Sequence, residues 1–371
     1  MPSRTTHRAR RDALRALLAD PGEQGEVDAL LVTDLVNVRY LTGFTGSNAC
    51  LLVAADGRDV FCTDGRYTLQ AAAEAPDLPA VIDRAGARTL VTTAAGRGVG
   101  RLGFESDAVT VDAHSVLVDE LDRAGGPTAL LRAPGLVQRL REVKDADEVA
   151  TLRRACAVAD EAFADLVAAD GVRPGRTERE VALDLEARMR ALGAAAPAFE
   201  SIVAAGANAA IPHHRPSGAA LRRGDLVTLD FGALVEGYHS DMTRTVVLGP
   251  AAGWQRELYE LVAAAQVAGC AALRPGADVV AVDAAARDVV VAAGEGENFP
   301  HGLGHGVGLR IHEAPGLGPA GSGTLAAGMT VTVEPGVYLE GVGGVRIEDT
   351  LLVTGGTAEA LSRTTRELLE L

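Results

Sequence analysis

A chain of 371 residues, 47% of them apolar, is long enough to pack two hydrophobic cores, and 35 basic against 50 acidic side chains give it a formal charge of −15. That balance, with no lysine or arginine block beyond Arg4, Arg8, Arg10 and Arg11, argues against nucleic acid as a partner, because phosphate binding relies on a basic face that releases counterions. No uncharged apolar run reaches bilayer-spanning length either: the stretch from Leu261 to Leu273 is short and broken by Gln266, so no membrane partner is expected.

In chain order, residues 6–20 place Ala9, Ala13, Leu14, Leu17 and Leu18 at helical spacing, ended by Asp20-Pro21-Gly22. Asp12, Arg15 and Asp20 interrupt the apolar stretch that a signal peptide would need behind its basic cluster. Short β-rich runs at 27–32, 50–54, 60–62, 102–104 and 129–131 alternate with helical stretches near 68–73 and 113–121, with turn chemistry at Asp56-Gly57 and Asp64-Gly65. These make a small α/β domain over residues 1–136, closed by Ala133-Pro134-Gly135. The four cysteines, Cys50, Cys62, Cys156 and Cys270, follow no paired or zinc-ribbon spacing, which fits buried thiols in a reducing cytoplasm.

The second domain, 137–371, opens on a charged run. Asp145 with Glu148 three residues later makes a capping box for a helix reaching about Ala168, and the run from Glu142 to Glu148 reads as its solvated start. From here the sequence repeats itself. One helix ends at Arg173-Pro174-Gly175 and the next starts at Thr177-Glu178; another ends at Arg274-Pro275-Gly276 and its successor starts at Asp278, an offset of 275 − 174 = 101. Each pair leads into a histidine-bearing extended segment and then a β-rich run ending in an acid, Asp230 in Leu226-Val-Thr-Leu-Asp-Phe and Glu334 in Met329-Thr-Val-Thr-Val-Glu. A helix-Pro-Gly-helix connector is common, but three features in the same order point to duplication.

Six of the eight histidines lie between 213 and 312. The densest stretch is His301-Gly-Leu-Gly-His305-Gly-Val-Gly-Leu-Arg-Ile-His312, where glycines let main chain approach a ligand. Three histidines alone fit a surface loop as well as a metal site; the acids tip the balance. Asp230, Asp241, Glu334 and Glu348 each interrupt an apolar run, and a buried carboxylate is costly unless it is paired or bound to a cation. Asp230 and Asp241 also bracket a hairpin at 233–237, so both can reach one end of a strand pair. Singly, each acid could be an arginine partner. Together with one imidazole they form a hard, oxygen-rich set that suits two divalent ions, Mn²⁺ or Co²⁺, and tolerates Zn²⁺. Such a pair generates hydroxide at neutral pH and polarises a carbonyl, which is amide-hydrolysis chemistry.

The series Leu229-Asp230-Phe-Gly, Ser240-Asp241-Met-Thr-Arg-Thr, His301-Gly-Leu-Gly-His305-Gly, Glu334-Pro-Gly and Arg346-Ile-Glu348-Asp-Thr resembles the metal-binding motifs of the aminopeptidase P, prolidase and methionine aminopeptidase superfamily. Asn37-Val-Arg-Tyr-Leu-Thr-Gly-Phe-Thr-Gly46 and Thr63-Asp-Gly-Arg-Tyr67 resemble the creatinase-type domain of its Xaa-Pro peptidases, which methionine aminopeptidases lack. The resemblance implies a creatinase-like α/β domain followed by a duplicated pita-bread catalytic domain of α+β character. It implies Asp230 as ligand of one metal, Asp241 and Glu348 as bridges, and His305 with Glu334 completing the second, Glu334 also handling a proton of the nucleophilic water. It further implies His213, His301 and His312 as substrate-binding groups, Arg346 as support, a proline-containing peptide as substrate, and a homodimer.

His213 is preferred to His214, since neighbours on an extended segment point opposite ways, and His239, without a matching role, reads as a surface residue. Resembling dipeptidases place an arginine shortly after the His-Glu pair. Here His312-Glu-Ala-Pro-Gly316 offers glycine, which favours Xaa-Pro aminopeptidase over strict Xaa-Pro dipeptidase activity. A metal-free creatinase-like hydrolase would have lost ligands, and a non-catalytic pita-bread module would have eroded the motifs; neither has happened here.

Overall fold

The computed structural model describes residues 4–19 and 25–371. The first helix, Arg4–Ala19, covers the expected one, while its expected stop at Asp20-Pro21-Gly22 lies outside the described residues. The chain divides into two compact units, Met1–Arg141 and Glu142–Leu371.

The first unit is built on a six-stranded mixed sheet in the order Ala80–Ile82, Val60–Thr63, Ala49–Ala54, Ala29–Val32, Arg101–Phe104, Ala129–Arg132. Ala29–Val32 lies at the centre, antiparallel to Ala49–Ala54 and parallel to Arg101–Phe104, and its unbroken Ala-Leu-Leu-Val run is what burial on both faces demands. Leu90, Val91 and Ala94 pack on one face of that sheet. The strand Ala80–Ile82 and the helices Leu35–Thr42 and Gly86–Gly96 were not expected from sequence.

Leu35–Thr42 is held by its ends rather than by propensity. The Asp34 side chain accepts from Val36 N, and Gly43 closes the helix at φ 80°, where a glycine is at ease. Glu105, at the end of Arg101–Phe104, fixes the entry: it is buried and accepts from Thr33 N (2.7 Å), Asp34 N (2.8 Å) and Asn37 Nδ2 (2.6 Å). Glu105→Ala leaves all three donors without this acceptor, so the unit should lose about 3 kcal/mol, about 1 per donor. Urea denaturation checks this; an unchanged midpoint would mean that water replaces the carboxylate at no cost.

The second unit carries the repeat. Helices Ala146–Ala168 and Glu178–Ala191 precede the strands Ile202–Ala205, Leu226–Phe231 and Met242–Val247, which pair antiparallel with Leu226–Phe231 in the middle. Helices Gly253–Ala272 and Val279–Ala292 precede Gly304–Gly306, Thr330–Val333 and Asp349–Leu352, paired in the same order, with Glu313–Leu317 and Glu359–Ala360 at the edges. The expected capping box of Asp145 and Glu148 is present, as is a second formed by Thr177 and Glu180.

The run from Glu142 to Glu148 is a solvated helix start only in part: Val143, Ala146 and Asp147 are exposed, but two of its charged side chains are not. Lys144 and Glu148 are buried, Lys144 Nζ 3.3 Å from Glu313 Oε2, and Glu148 Oε1 accepting from Tyr238 OH at 2.9 Å.

Strand alternation decides what the two sheets show each other. Val227, Leu229 and Phe231 pack with Phe163, Leu166 and Leu185, and Val331 and Val333 with Val262, Val282 and Ala286, each fully buried side chain contributing roughly 1.5–3 kcal/mol. The opposite parity carries Thr228 and Asp230, Asp241, Thr243 and Thr245, Thr330, Thr332 and Glu334, and Glu348 and Thr350. These faces meet across the repeat: Thr243 Oγ1 donates to Glu348 Oε2 (2.6 Å), Thr245 Oγ1 to Arg346 O (3.0 Å) and Thr350 Oγ1 to Asp241 O (2.9 Å). Threonine is β-branched, as strands prefer, and its hydroxyl satisfies a neighbour's acceptor. The acids are therefore set on a buried, hydrogen-bonded polar seam.

Candidate metal centre

A cavity of about 490 Å³ opens at the end of this seam, and Asp230, Asp241, Glu334, Glu348, His213, His301, His305, His312 and Arg346 all line it. Two strand ends supply the first acids. Asp230 sits opposite Thr243 in the pairing of Leu226–Phe231 with Met242–Val247, and Asp241 directly precedes the second strand. The hairpin between them turns at Glu236 (φ 48°) and Gly237 (φ 82°), the two-residue geometry whose twist suits paired strands. His305 and Glu334 come from the second half. His305 N donates to Thr332 Oγ1 (3.0 Å), and Thr332 Oγ1 donates to Glu334 Oε1 (3.1 Å). The strands are close here because position 304 is glycine: a Cβ there would lie 2.1 Å from Thr332 O.

The tightest group is Asp241, His305 and Glu348, whose ligand atoms lie within 4.8 Å of one another. His305 Nε2 is 3.5 Å from Asp241 Oδ2 and 3.3 Å from Glu334 Oε1. Asp230 stands outside that trio and joins it through Arg346, whose guanidinium donates to Asp230 Oδ2 (2.7 Å), Thr243 Oγ1 (3.1 Å) and Tyr338 OH (2.8 Å). His301 Nε2 lies 2.9 Å from the same Tyr338 OH, and the His312 ring stands edge-on to His305 with centroids 4.4 Å apart.

His213 is exposed and lines the cavity with no hydrogen bond to its ring among the described residues, while His214 also lines it, its Nε2 2.8 Å from Glu178 Oε2. His239 is half-buried rather than superficial, its Nδ1 3.1 Å from Gly308 O. Thr243, Thr332, Tyr338 and Glu178 escaped the sequence reading. Only the Thr-Val-Thr-Val alternation and the place of Tyr338 four residues after Glu334 hinted at them.

The electrostatics leave room for cations. Burial, and after it Glu348 and Asp230, push the Asp241 carboxyl well above its ordinary range; burial, then Glu334 and Asp230, do the same to Glu348. Asp230 is raised by burial, partly offset by Arg346. Glu334 is lowered, its burial outweighed by the hydrogen bond and charge of His305, which is itself raised by Glu334 against its own burial. Burial lowers His301 and His312. Asp230 Oδ1 and Glu348 Oε1 are buried with no hydrogen-bond partner among the described residues. Four acids around one guanidinium, with two bare oxygens, are a poor arrangement for protein alone and a fitting one for divalent cations.

Residues 150–355 match the model of metallopeptidase family M24, and residues 10–143 that of the creatinase/prolidase N-terminal domain. The chain is 33% identical to a Xaa-Pro dipeptidase of Pyrococcus horikoshii over 94% of this chain and 96% of that protein. Among solved structures, a Xaa-Pro dipeptidase from Bacillus anthracis has a TM-score of 0.92 at 37% identity, covering 98% of this chain and 100% of that one. An X-Pro aminopeptidase from Thermotoga maritima has a TM-score of 0.85 at 32% identity, covering 93% and 98%.

Proposed function

We propose that this chain, which belongs to metallopeptidase family M24, is a metal-dependent exopeptidase that hydrolyses the bond between an N-terminal residue and a following proline. The observation that carries the reading is the cavity itself: Asp241, His305 and Glu348 in reach of one another, with bare buried oxygens on Asp230 and Glu348. Asp230, Asp241, His305, Glu334 and Glu348 would hold two divalent ions, Mn²⁺ or else Co²⁺ or Zn²⁺. When bound, these supply Lewis-acid polarisation of the scissile carbonyl and an activated water at neutral pH.

The protein's own groups do the rest. Glu334, hydrogen-bonded to Thr332 and beside His305, takes and returns the proton of the attacking water. His301, fixed by Tyr338, and His312, against His305, face the developing oxyanion with His213. Arg346 keeps Asp230 turned into the site. A cytoplasmic location rests on four free cysteines, a homodimer on the resemblance alone; among the described residues no helix is long and apolar enough to cross a membrane. The test is turnover of Ala-Pro and Ala-Pro-Ala against Ala-Ala: cleavage before proline with little at Ala-Ala supports the reading, and no cleavage of either proline peptide defeats it.

Relatives bear both dipeptidase and aminopeptidase names, and one observation favours the dipeptidase. Arg215 lines the cavity with its side chain 86% exposed and, among the described residues, is paired with Glu200 alone, at 3.7 Å, so its remaining N–H groups can take a dipeptide's carboxylate. Arg215→Gln should then raise KM for Ala-Pro about tenfold, the worth of a charge-assisted hydrogen bond, and leave Ala-Pro-Ala unchanged. Equal effects on both would favour the aminopeptidase.

A further inference from the structure

The loop that presents His213 makes few hydrogen bonds within itself, Ile211 N donating to Asn208 O (2.9 Å) and His214 N to Ile211 O (3.1 Å). The 3₁₀ turn Gly206–Ala210 is followed by Ile211, exposed, and His213, whose ring has no hydrogen bond among the described residues. Arg346 Nη1 reaches Pro212 O at 3.4 Å and Ala209 is buried with Ile202 and Ala204, but the densest set of hydrogen bonds to the loop comes from one buried side chain on another element. Glu178, the first residue of the helix Glu178–Ala191, is fully buried, and its two oxygens collect five contacts from the loop's two ends and middle. Oε1 accepts from Ala205 N (2.9 Å) and Asn208 Nδ2 (2.8 Å). Oε2 accepts from Ser217 N (2.9 Å) and Ser217 Oγ (2.6 Å) and lies 2.8 Å from His214 Nε2.

The same helix turn receives the loop's return, Glu178 N donating to Ala219 O and Arg179 N to Ser217 O, each 3.1 Å. Burial alone would raise the Glu178 carboxyl, yet Ser217, Asn208, His214 and Ala205 together hold it below its usual range, and the helix N-terminus favours the same charge. A buried charge with this many donors is a rigid anchor, because none of them finds another partner at so little cost.

We propose that Glu178 is a positioning residue: by gathering donors from Ala205 to Ser217 it sets the course of the loop and so aims His213 at the acid-lined cavity. It touches neither the acids nor the substrate; it acts through His213, and the assignment rests on the Xaa-Pro reading for the role of that imidazole. Pairing His214 with Glu178 also explains chemically why two adjacent histidines divide their work, one anchoring the loop and the other left for the cavity.

The experiment is a double-mutant cycle of Glu178→Gln and His213→Ala on Ala-Pro hydrolysis, with amide hydrogen exchange of residues 205–217 read in parallel. Glutamine keeps the shape but turns an amide N–H toward donors. Glu178→Gln should lower kcat/KM roughly ten- to a hundredfold through misplacement of the loop, with bound metal unchanged and exchange across 205–217 accelerated. The double variant should be no slower than His213→Ala alone, because a misaimed imidazole and an absent one lose the same contribution. Effects that multiply, or unaltered exchange in the loop, overturn the proposal. Ser217→Ala, which removes one hydroxyl donor, gives both readouts at smaller amplitude should Glu178→Gln fail to fold. Hydrogen exchange needs no turnover, so a wild type inactive on proline peptides would defeat the peptidase reading while the exchange data still decide whether Glu178 orders the loop.

Discussion

Asp241→Asn should reduce kcat/KM on a Xaa-Pro dipeptide at least about a thousandfold, since a loss near 4 kcal/mol of transition-state stabilisation follows if Asp241 is one of the proposed metal ligands. The same substitution should make the metal-free protein melt higher. Asp241 lies with Glu348, Asp230 and Glu334 in a buried seam, and the amide keeps the side chain's volume while removing one like charge. The pH dependence fixes the sign.

Asp241 and Glu348 hold their protons more tightly in the metal-free fold than in the unfolded chain. Their contribution to stability is therefore complete below the ordinary carboxylate range and is lost as pH rises through their raised folded values. Metal-free wild type should melt lower at pH 8 than at pH 5, Asp241→Asn should flatten that slope, and added metal should abolish it in the wild type. Calorimetric melts at the two pH values decide. A metal-free wild type more stable at pH 8 would show that the acids are not in each other's field.

Arg346→Ala should severely destabilise the fold of the second unit. The guanidinium is buried and its three nitrogens are committed to Thr243, Tyr338 and Asp230, with Pro212 O a further 3.4 Å contact. Taking it away strands the Asp230 carboxylate next to three other acids, and breaking a buried pair in this way costs about 3–5 kcal/mol. Arg346→Lys should not rescue it, because an ammonium cannot satisfy three divergent acceptors held by a planar fork. Tyr338→Phe, which removes only the hydroxyl joining Arg346 to His301, should cost about 1 kcal/mol. Denaturant titration of the three variants gives the order; Arg346→Lys matching the wild type would reduce Arg346 to a simple counter-charge.

Both predictions concern residues that the sequence displays openly. A carboxylate inside an alternating strand, as in Val227-Thr-Leu-Asp230-Phe, is conspicuous because it violates the pattern around it, and the same holds for Glu334 and Glu348. The repeat was visible in its connectors, since a Pro-Gly stop and a following cap are local chemistry. What escaped reading depends on partners far along the chain. Lys144 and Glu313 are 169 residues apart, so nothing near the run from Glu142 to Glu148 tells that Lys144 is buried. Thr243 looked like one more strand threonine until Glu348 and Arg346 arrived on it from the other half. The helix Leu35–Thr42 was hidden by Val36 and Val38, which favour strands, although Asp34 and Gly43 marked both of its ends.

The most direct test is a titration of chelator-stripped protein with Mn²⁺, following bound metal and Ala-Pro hydrolysis together. Two equivalents bound per chain, with activity absent before the first and complete at the second, is the expected result. Full activity in the stripped protein, or activity restored with no metal taken up, would contradict a site in which Asp230, Asp241, His305, Glu334 and Glu348 converge on cations.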